Sequence, residues 1–299
     1  MKIPKSLQQG DTIAIVATAR SVDQQILNDA ISIIESWGLQ VKTGPNIGKV
    51  HHQFAGTDEE RASDLNWAIS DPDISAIICF RGGYGSIRTM DHTDFFPLSQ
   101  NPKWICGYSD VTVLHSRLHA MGVASVHSTM PINFKTNSDE ALDSLRQSLF
   151  GQDVGYDWGS SNSNRNGQGV GQLVGGNLSI IYSLNGTILD LDTDGKILFL
   201  EDLDEYLYHV DRMFYNLRDA GKLEHLAGLV IGGMTDMNDH DTPFGFDVPD
   251  IILNASKEYH FPIAFDFPAG HIDDNRAMQF GRTYTLNVGP ESCSLEIQK

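Results

Sequence analysis

The apolar positions of this chain follow two periods. Thr12 to Ala17 (TIAIVA), Ile74 to Cys79 (ISAIIC) and Trp104 to Gly107 are apolar at nearly every position, as strands buried on both faces are. Between them the spacing becomes helical. Ile26, Ala30, Ile33 and Trp37 share one face. Thr57-Asp-Glu-Glu60 reads as a capping box opening a helix with Ala62, Leu65 and Ile69 inward. Val111, Leu114 and Leu118 mark another helix. Repeated strand–helix units predict an α/β fold with a doubly wound parallel sheet. The ligand crevice of such a sheet lies beyond the carboxyl ends of its strands.

The pattern breaks at 151–169, GQDVGYDWGSSNSNRNGQG, where Gly, Ser and Asn dominate. This stretch is expected to be a linker or long surface loop. It divides an N-terminal α/β domain, 1–150, from a smaller, β-rich C-terminal domain, 170–299. The second part opens with a helix from Asn177 and a strand from Ile197 to Leu200. A helix with Leu207, Val210, Phe214 and Leu217 inward follows, then a strand from Leu229 to Gly232. Two strands, Tyr284 to Val288 and Ser294 to Ile297, turn at Gly289-Pro290.

Composition narrows the function. The formal charge of −18 disfavours nucleic acid and anionic membrane as partners. No apolar run approaches the ~18 residues of a membrane span, and no signal peptide is evident. Cys79, Cys106 and Cys293 form no close pair and no zinc spacing, so buried thiols in a reducing cytoplasm are expected. His115 and His119 stand four apart without a carboxylate partner, and no metal site is expected.

The strongest local feature is Trp104-Ile-Cys-Gly-Tyr-Ser-Asp-Val-Thr112. An apolar strand ends, Gly107 bends the chain, and Ser109 sits on a strand-to-helix turn, as in a nucleophile elbow. The amide of Asp110 would then face a developing oxyanion. Taken alone, the pattern reads first as a helix N-cap by Ser109 or Asp110. Arg81-Gly-Gly-Tyr-Gly85 follows a strand, and its glycines allow close backbone approach to a ligand. It is a tight turn, a phosphate loop or a second oxyanion donor. Glu201 ends an apolar strand, where a carboxylate can orient a histidine. His271, in Gly270-His271, lies reachable in a loop.

Together these motifs resemble the LD-carboxypeptidase family of serine peptidases. The resemblance runs through Gly10-Asp11-Thr-Ile-Ala-Ile, Arg81-Gly-Gly-Tyr-Gly85 with Arg88, Gly107-Tyr-Ser-Asp-Val-Thr112, Gly175-Gly-Asn-Leu178, Leu198-Phe-Leu-Glu-Asp202, and Gly270-His271 with Asn275 and Gly281. It implies a triad of Ser109, Glu201 and His271. It also implies an oxyanion hole from the amides of Asp110 and Gly83, with no metal or cofactor. Arg81, Tyr84 and Arg88 are candidates for substrate contact, the arginines by their affinity for carboxylate. Gln279 stands where the family usually has a proline. The implied substrate is a small murein peptide, the tetrapeptide losing its terminal D-alanine in the cytoplasm. Microcin-type immunity peptidases, which cleave aminoacyl or peptidyl nucleotides, belong to the same family. A silent murein-peptide binding protein and a nucleotide-binding protein are the readings from other classes. A homodimer is compatible with all of them.

Overall fold

The computed structural model describes residues 1–298. The chain divides into two compact units, Met1–Asp153 with Asp273–Gln279, and Val154–Ile272 with Phe280–Lys299. Strands β1 (Thr12–Val16), β2 (Gln40–Thr43), β3 (Ile74–Cys79), β4 (Trp104–Gly107) and β5 (Ser125–His127) belong to the first unit. The second holds β6 (Tyr156–Gly159), β7 (Gly167–Asn177), β8 (Ile197–Leu203), β9 (Gly228–Thr235) and β10 (Ile263–Ala264). β11 (Met278–Phe280) returns to the first sheet, and β12 (Thr283–Val288) and β13 (Ser292–Ile297) complete the second.

The first sheet runs β11-β5-β4-β3-β1-β2, and β1 to β5 pair in parallel. Its strands β1, β3 and β4 are apolar at nearly every position because both faces are covered, whereas the edge strand β2 is polar and partly exposed. Ile13 and Ile15 pack with Leu27, Ala30 and Ile34 of the helix Gln24–Ser36. Their alternates Ala14 and Val16 pack with Leu65, Ala68 and Leu114 of the helices Asp58–Ser70 and Thr112–Ala120. The capping box forms as read: Glu60 N–H donates to Thr57 Oγ1, and Thr57 N–H to Glu60 Oε2. The three cysteines are free and buried, and burial pushes the Cys79 thiol up to about 12. Gln279, in β11, donates its side-chain amide to the Ser148 carbonyl at 2.9 Å, a bond that a proline could not make.

The second sheet runs β10-β9-β8-β7-β12-β13-β6. Strands β7 to β10 are parallel, and β7, β12, β13 and β6 antiparallel. Val210, Met213, Phe214 and Leu217 of the helix Leu207–Asp219 pack on Leu198, Leu200, Leu229 and Ile231. The expectation of a linker over 151–169 needs correcting, since β6 and the start of β7 lie in it. Its glycines serve close packing. A Cβ at Gly169 would stand 1.9 Å from the Ala227 oxygen. Both strands pair with the C-terminal hairpin β12–β13, more than a hundred residues on, so no local pattern announces them.

Trp158, in β6, anchors this segment. Its indole N–H donates to the Phe265 carbonyl at 2.9 Å, and its ring meets Phe267 edge-on at 5.0 Å. Losing that ring and bond in Trp158→Ala should cost about 3 kcal/mol. Urea titration followed by far-UV circular dichroism should show a clearly lower midpoint; an unchanged midpoint would mean that the indole contributes nothing to packing.

Candidate active site

Ser109 stands just beyond the carboxyl end of β4. Gly107, at φ +152°, lets the chain turn beneath Val111, whose Cγ2 lies 2.9 Å from where a Cβ would be. Ser109 adopts φ +61°, a left-handed conformation in which a non-glycine residue is strained. It opens the short turn Ser109–Val111 that leads into the helix Thr112–Ala120. Neither Ser109 nor Asp110 caps that helix with its side chain. The N-cap reading therefore fails for both.

The side chains around Ser109 hold the turn. Asp110 is buried and its Oδ2 accepts the Ser86 N–H at 2.8 Å, which ties the turn to the glycine-rich loop. Burial raises its pKa, against the pull of the Ser86 hydrogen bonds. His115 is fully buried. Its Nε2 lies 2.9 Å from the Gly107 carbonyl and its Nδ1 2.8 Å from Ser125 Oγ. A carbonyl only accepts, so Nε2 carries the proton and Nδ1 takes the serine hydroxyl. Desolvation drops this ring to about 4, so it is a neutral brace under the bend.

The loop at 81–85 packs directly on Ser109. A Cβ at Gly82 would lie 3.0 Å from Ser109 Cβ and 3.3 Å from the Asp110 nitrogen. Gly83 has φ +111°. Arg61 fixes the far end of the loop. It is buried, donates to the carbonyls of Gly85, at 2.9 Å, and Thr18, and pairs with Asp58. Arg88 grips the same Asp58 through Nη2, at 2.7 Å, and Nε, at 3.0 Å. Tyr84 is exposed, its ring 6.3 Å from that of Phe54. Arg81 is half-buried. Arg61 escaped the sequence reading. An Arg three residues after Asp58 in a first helical turn looks like a surface ion pair, and nothing local reveals its burial.

The second unit holds Glu201 and His271 together. Glu201 is not at a strand end, because β8 continues through it to Leu203. Register shifts here: Leu200 pairs with Ile231, but Asp202 with Met234, so Gly232 and Gly233 lie opposite Glu201. Glu201 and Asp202 are both buried as a result. His271 Nδ1 lies 2.6 Å from Glu201 Oε2. Gly270, at φ +111°, makes that approach possible, since a Cβ there would sit 2.8 Å from Glu201 Cβ. Gly233 N–H donates to the Ala269 carbonyl at 2.8 Å, and Thr235 Oγ1 donates to that of His271 at 3.2 Å.

Asp202 staples this corner. Its carboxylate accepts Asn177 Nδ2, Ser179 N–H and Leu203 N–H, all within 2.9 Å. Burial and the adjacent Glu201 raise its pKa to about 6. For His271, burial acts to lower the pKa, but the charge and hydrogen bond of Glu201, with help from Asp202, outweigh it and the net shift is upward. The Nδ1–H is committed to Glu201, which leaves Nε2 as the basic nitrogen.

Residues 13–128 match the model of the LD-carboxypeptidase N-terminal domain, and 170–286 that of the LD-carboxypeptidase C-terminal domain. The chain belongs to the LD-carboxypeptidase family. A protein of Bacillus subtilis (strain 168) named probable murein peptide carboxypeptidase is 32% identical over 309 residues, covering 98% of this chain and 94% of the relative. The crystal structure of muramoyltetrapeptide carboxypeptidase from Oxalobacter formigenes has a TM-score of 0.89 at 29% identity, covering 96% of this chain and 99% of that one. The structure of MccF in complex with glutamyl sulfamoyl guanosine has a TM-score of 0.87 and covers 99% of this chain and 98% of that one. At 20% identity, that likeness concerns the fold. Membership in the family makes this chain a hydrolase of carboxypeptidase type. Among the described residues no helix is long and apolar enough to cross a membrane.

The His271–Glu201 pair gives a direct titration test. By NMR, the His271 ring should titrate above its ordinary 6.5. In Glu201→Gln the pKa should fall, because burial is then opposed by Asp202 alone. An unshifted titration in the variant would mean that the carboxylate does not govern the imidazole.

Proposed function

We propose that this chain is a serine carboxypeptidase that cleaves an L,D-peptide bond and releases the terminal D-alanine of a murein tetrapeptide. The observation that carries the reading is the buried Glu201 carboxylate bonded to His271 Nδ1 at 2.6 Å, which makes Nε2 the basic nitrogen of the ring. Ser109 Oγ attacks the scissile carbonyl carbon and His271 Nε2 takes the hydroxyl proton. Glu201 holds the tautomer and stabilises the imidazolium. The amides of Asp110 and Gly83 take the oxyanion. The strained φ of Ser109 and the contact of Gly82 with its side chain support that assignment. The imidazolium then gives its proton to the departing amine, and water, activated by the same histidine, hydrolyses the acyl-enzyme.

The nucleotide-cleaving alternative needs an aromatic face for a nucleobase, a contact worth about 1–3 kcal/mol. Trp158, one of the two aromatic residues of the 151–169 segment, is engaged with Phe265 and Phe267. The tetrapeptide reading is therefore preferred. Incubation with murein tetrapeptide should release D-alanine, detected by mass spectrometry. An aminoacyl-sulfamoyl adenylate should be a much poorer substrate. Faster cleavage of the adenylate would reverse the preference.

Ser109→Ala should lower kcat by at least about 1000-fold. Its stability should stay within about 0.5 kcal/mol of wild type, since no cap is lost. Wild-type turnover in the variant would remove Ser109 from the mechanism. Attack requires neutral His271, so kcat/KM should fall as pH drops through a pKa above 6.5. A profile flat down to pH 5 would contradict a histidine base.

A further inference from the structure

Two arginines, Arg20 and Arg81, lie at the glycine-rich loop that packs on Ser109, and neither has an ion-pair partner among the described residues. Arg20 follows β1, and its side chain runs along the glycine-rich loop. A Cβ at Gly83 would lie 2.7 Å from Arg20 Cδ and 2.9 Å from its Nε. Gly82, the preceding residue, touches Ser109 in the same sense. Arg81, one residue earlier, feels the positive charge of Arg20 and, more weakly, the charge of Tyr108, the neighbour of Ser109. Its Nε is buried without a hydrogen-bond partner among the described residues. Burial, and then the charge of Arg20, draw the Arg81 pKa below its ordinary value, although an arginine stays protonated.

This pairing is unfavourable as it stands. Neighbouring cations repel, and partial burial costs more when no anion is near. The chain has 39 acidic residues against 21 Lys and Arg, so carboxylates are plentiful. Arg61 and Arg88 share one, Asp58. Arg20 and Arg81 form no ion pair among the described residues. A planar anion placed between the two would relieve the repulsion and supply the missing hydrogen bonds.

We propose that Arg20 and Arg81 form a clamp for the free C-terminal carboxylate of the peptide, on the leaving-group side of Ser109. The proposal deepens the carboxypeptidase reading above and rests on it. In a peptide, only the amide nitrogen and one Cα separate the scissile carbonyl from the terminal carboxylate. The group that reads the carboxylate must therefore stand a few ångströms from the nucleophile, and Arg81-Gly82-Gly83 joins both arginines to Ser109 within three residues. Arg88, held by Asp58, is not needed for this role. The clamp restricts the enzyme to terminal residues, because an internal peptide bond has no carboxylate at that distance.

The test compares the tetrapeptide ending in D-alanine with its C-terminal amide. Wild type should prefer the acid, and the ratio of kcat/KM for acid over amide should fall about 10- to 100-fold in Arg20→Gln and in Arg81→Gln. Arg20→Lys should recover part of it. Equal rates on acid and amide in wild type, or equal losses on both substrates in the variants, would overturn the clamp. Arg81 is half-buried, so if Arg81→Gln does not fold the exposed Arg20 carries the test alone. Calorimetry on Ser109→Ala separates the clamp from the catalytic reading. The acid should bind more tightly than the amide, and the difference should vanish in Ser109→Ala/Arg20→Gln. A difference that survives in the double variant rejects the clamp. Carboxylate discrimination by a wild-type protein that cleaves neither peptide rejects the serine carboxypeptidase reading and leaves the clamp standing.

Discussion

A carboxylate with no exposure to solvent needs a partner, and Glu201 finds it in His271. Leaving such a charge unpaired costs several kcal/mol, so the loop that carries His271 is held where the imidazole can reach. Much of the second unit serves that contact. The register shift between β8 and β9 turns Glu201 inward, and Gly232 and Gly233 make room opposite it. Gly270 passes close enough for the bond to form, and Gly233 and Thr235 fasten the loop through the carbonyls of Ala269 and His271. The neighbouring Asp202 ties the end of β7 to the same corner through Asn177 and Ser179.

The first unit holds Ser109 by a similar logic with different chemistry. The strained backbone at Ser109 persists because its surroundings over-determine it. His115 braces the Gly107 carbonyl from beneath, and Asp110 is tied to the Ser86 amide. Arg61 locks the Gly85 carbonyl. Of these three groups, His115 and Asp110 are ionisable in the ordinary range, and burial shifts both toward neutrality. They position backbone rather than exchange protons. Glycine is required twice along this loop for separate reasons: Gly82 for closeness to Ser109, and Gly83 for its positive φ.

The sequence by itself determined the periodic elements and the chemistry-bearing motifs. The parallel strands β1, β3 and β4 were legible because both their faces are buried and nearly every position is apolar. Thr57-x-x-Glu60 announced its helix because the capping bonds are local. Ser109, Glu201 and His271 stood out because each sits beside a glycine or at the end of an apolar run, and because the order of motifs resembles a known family. The tertiary structure alone decided what depends on distant chain. The segment expected as a linker became β6 and part of β7 because its partners, β12 and β13, lie at the other end of the sequence. Ser109 proved not to be a cap, since a serine before a helix looks the same in sequence whether or not its hydroxyl reaches an amide. The burial of Arg61, the inward turn of Glu201 and the nearness of Arg20 to the glycine-rich loop were equally hidden. Each is a contact between segments far apart in sequence, and periodicity records only which face a residue occupies, not what the fold brings against it.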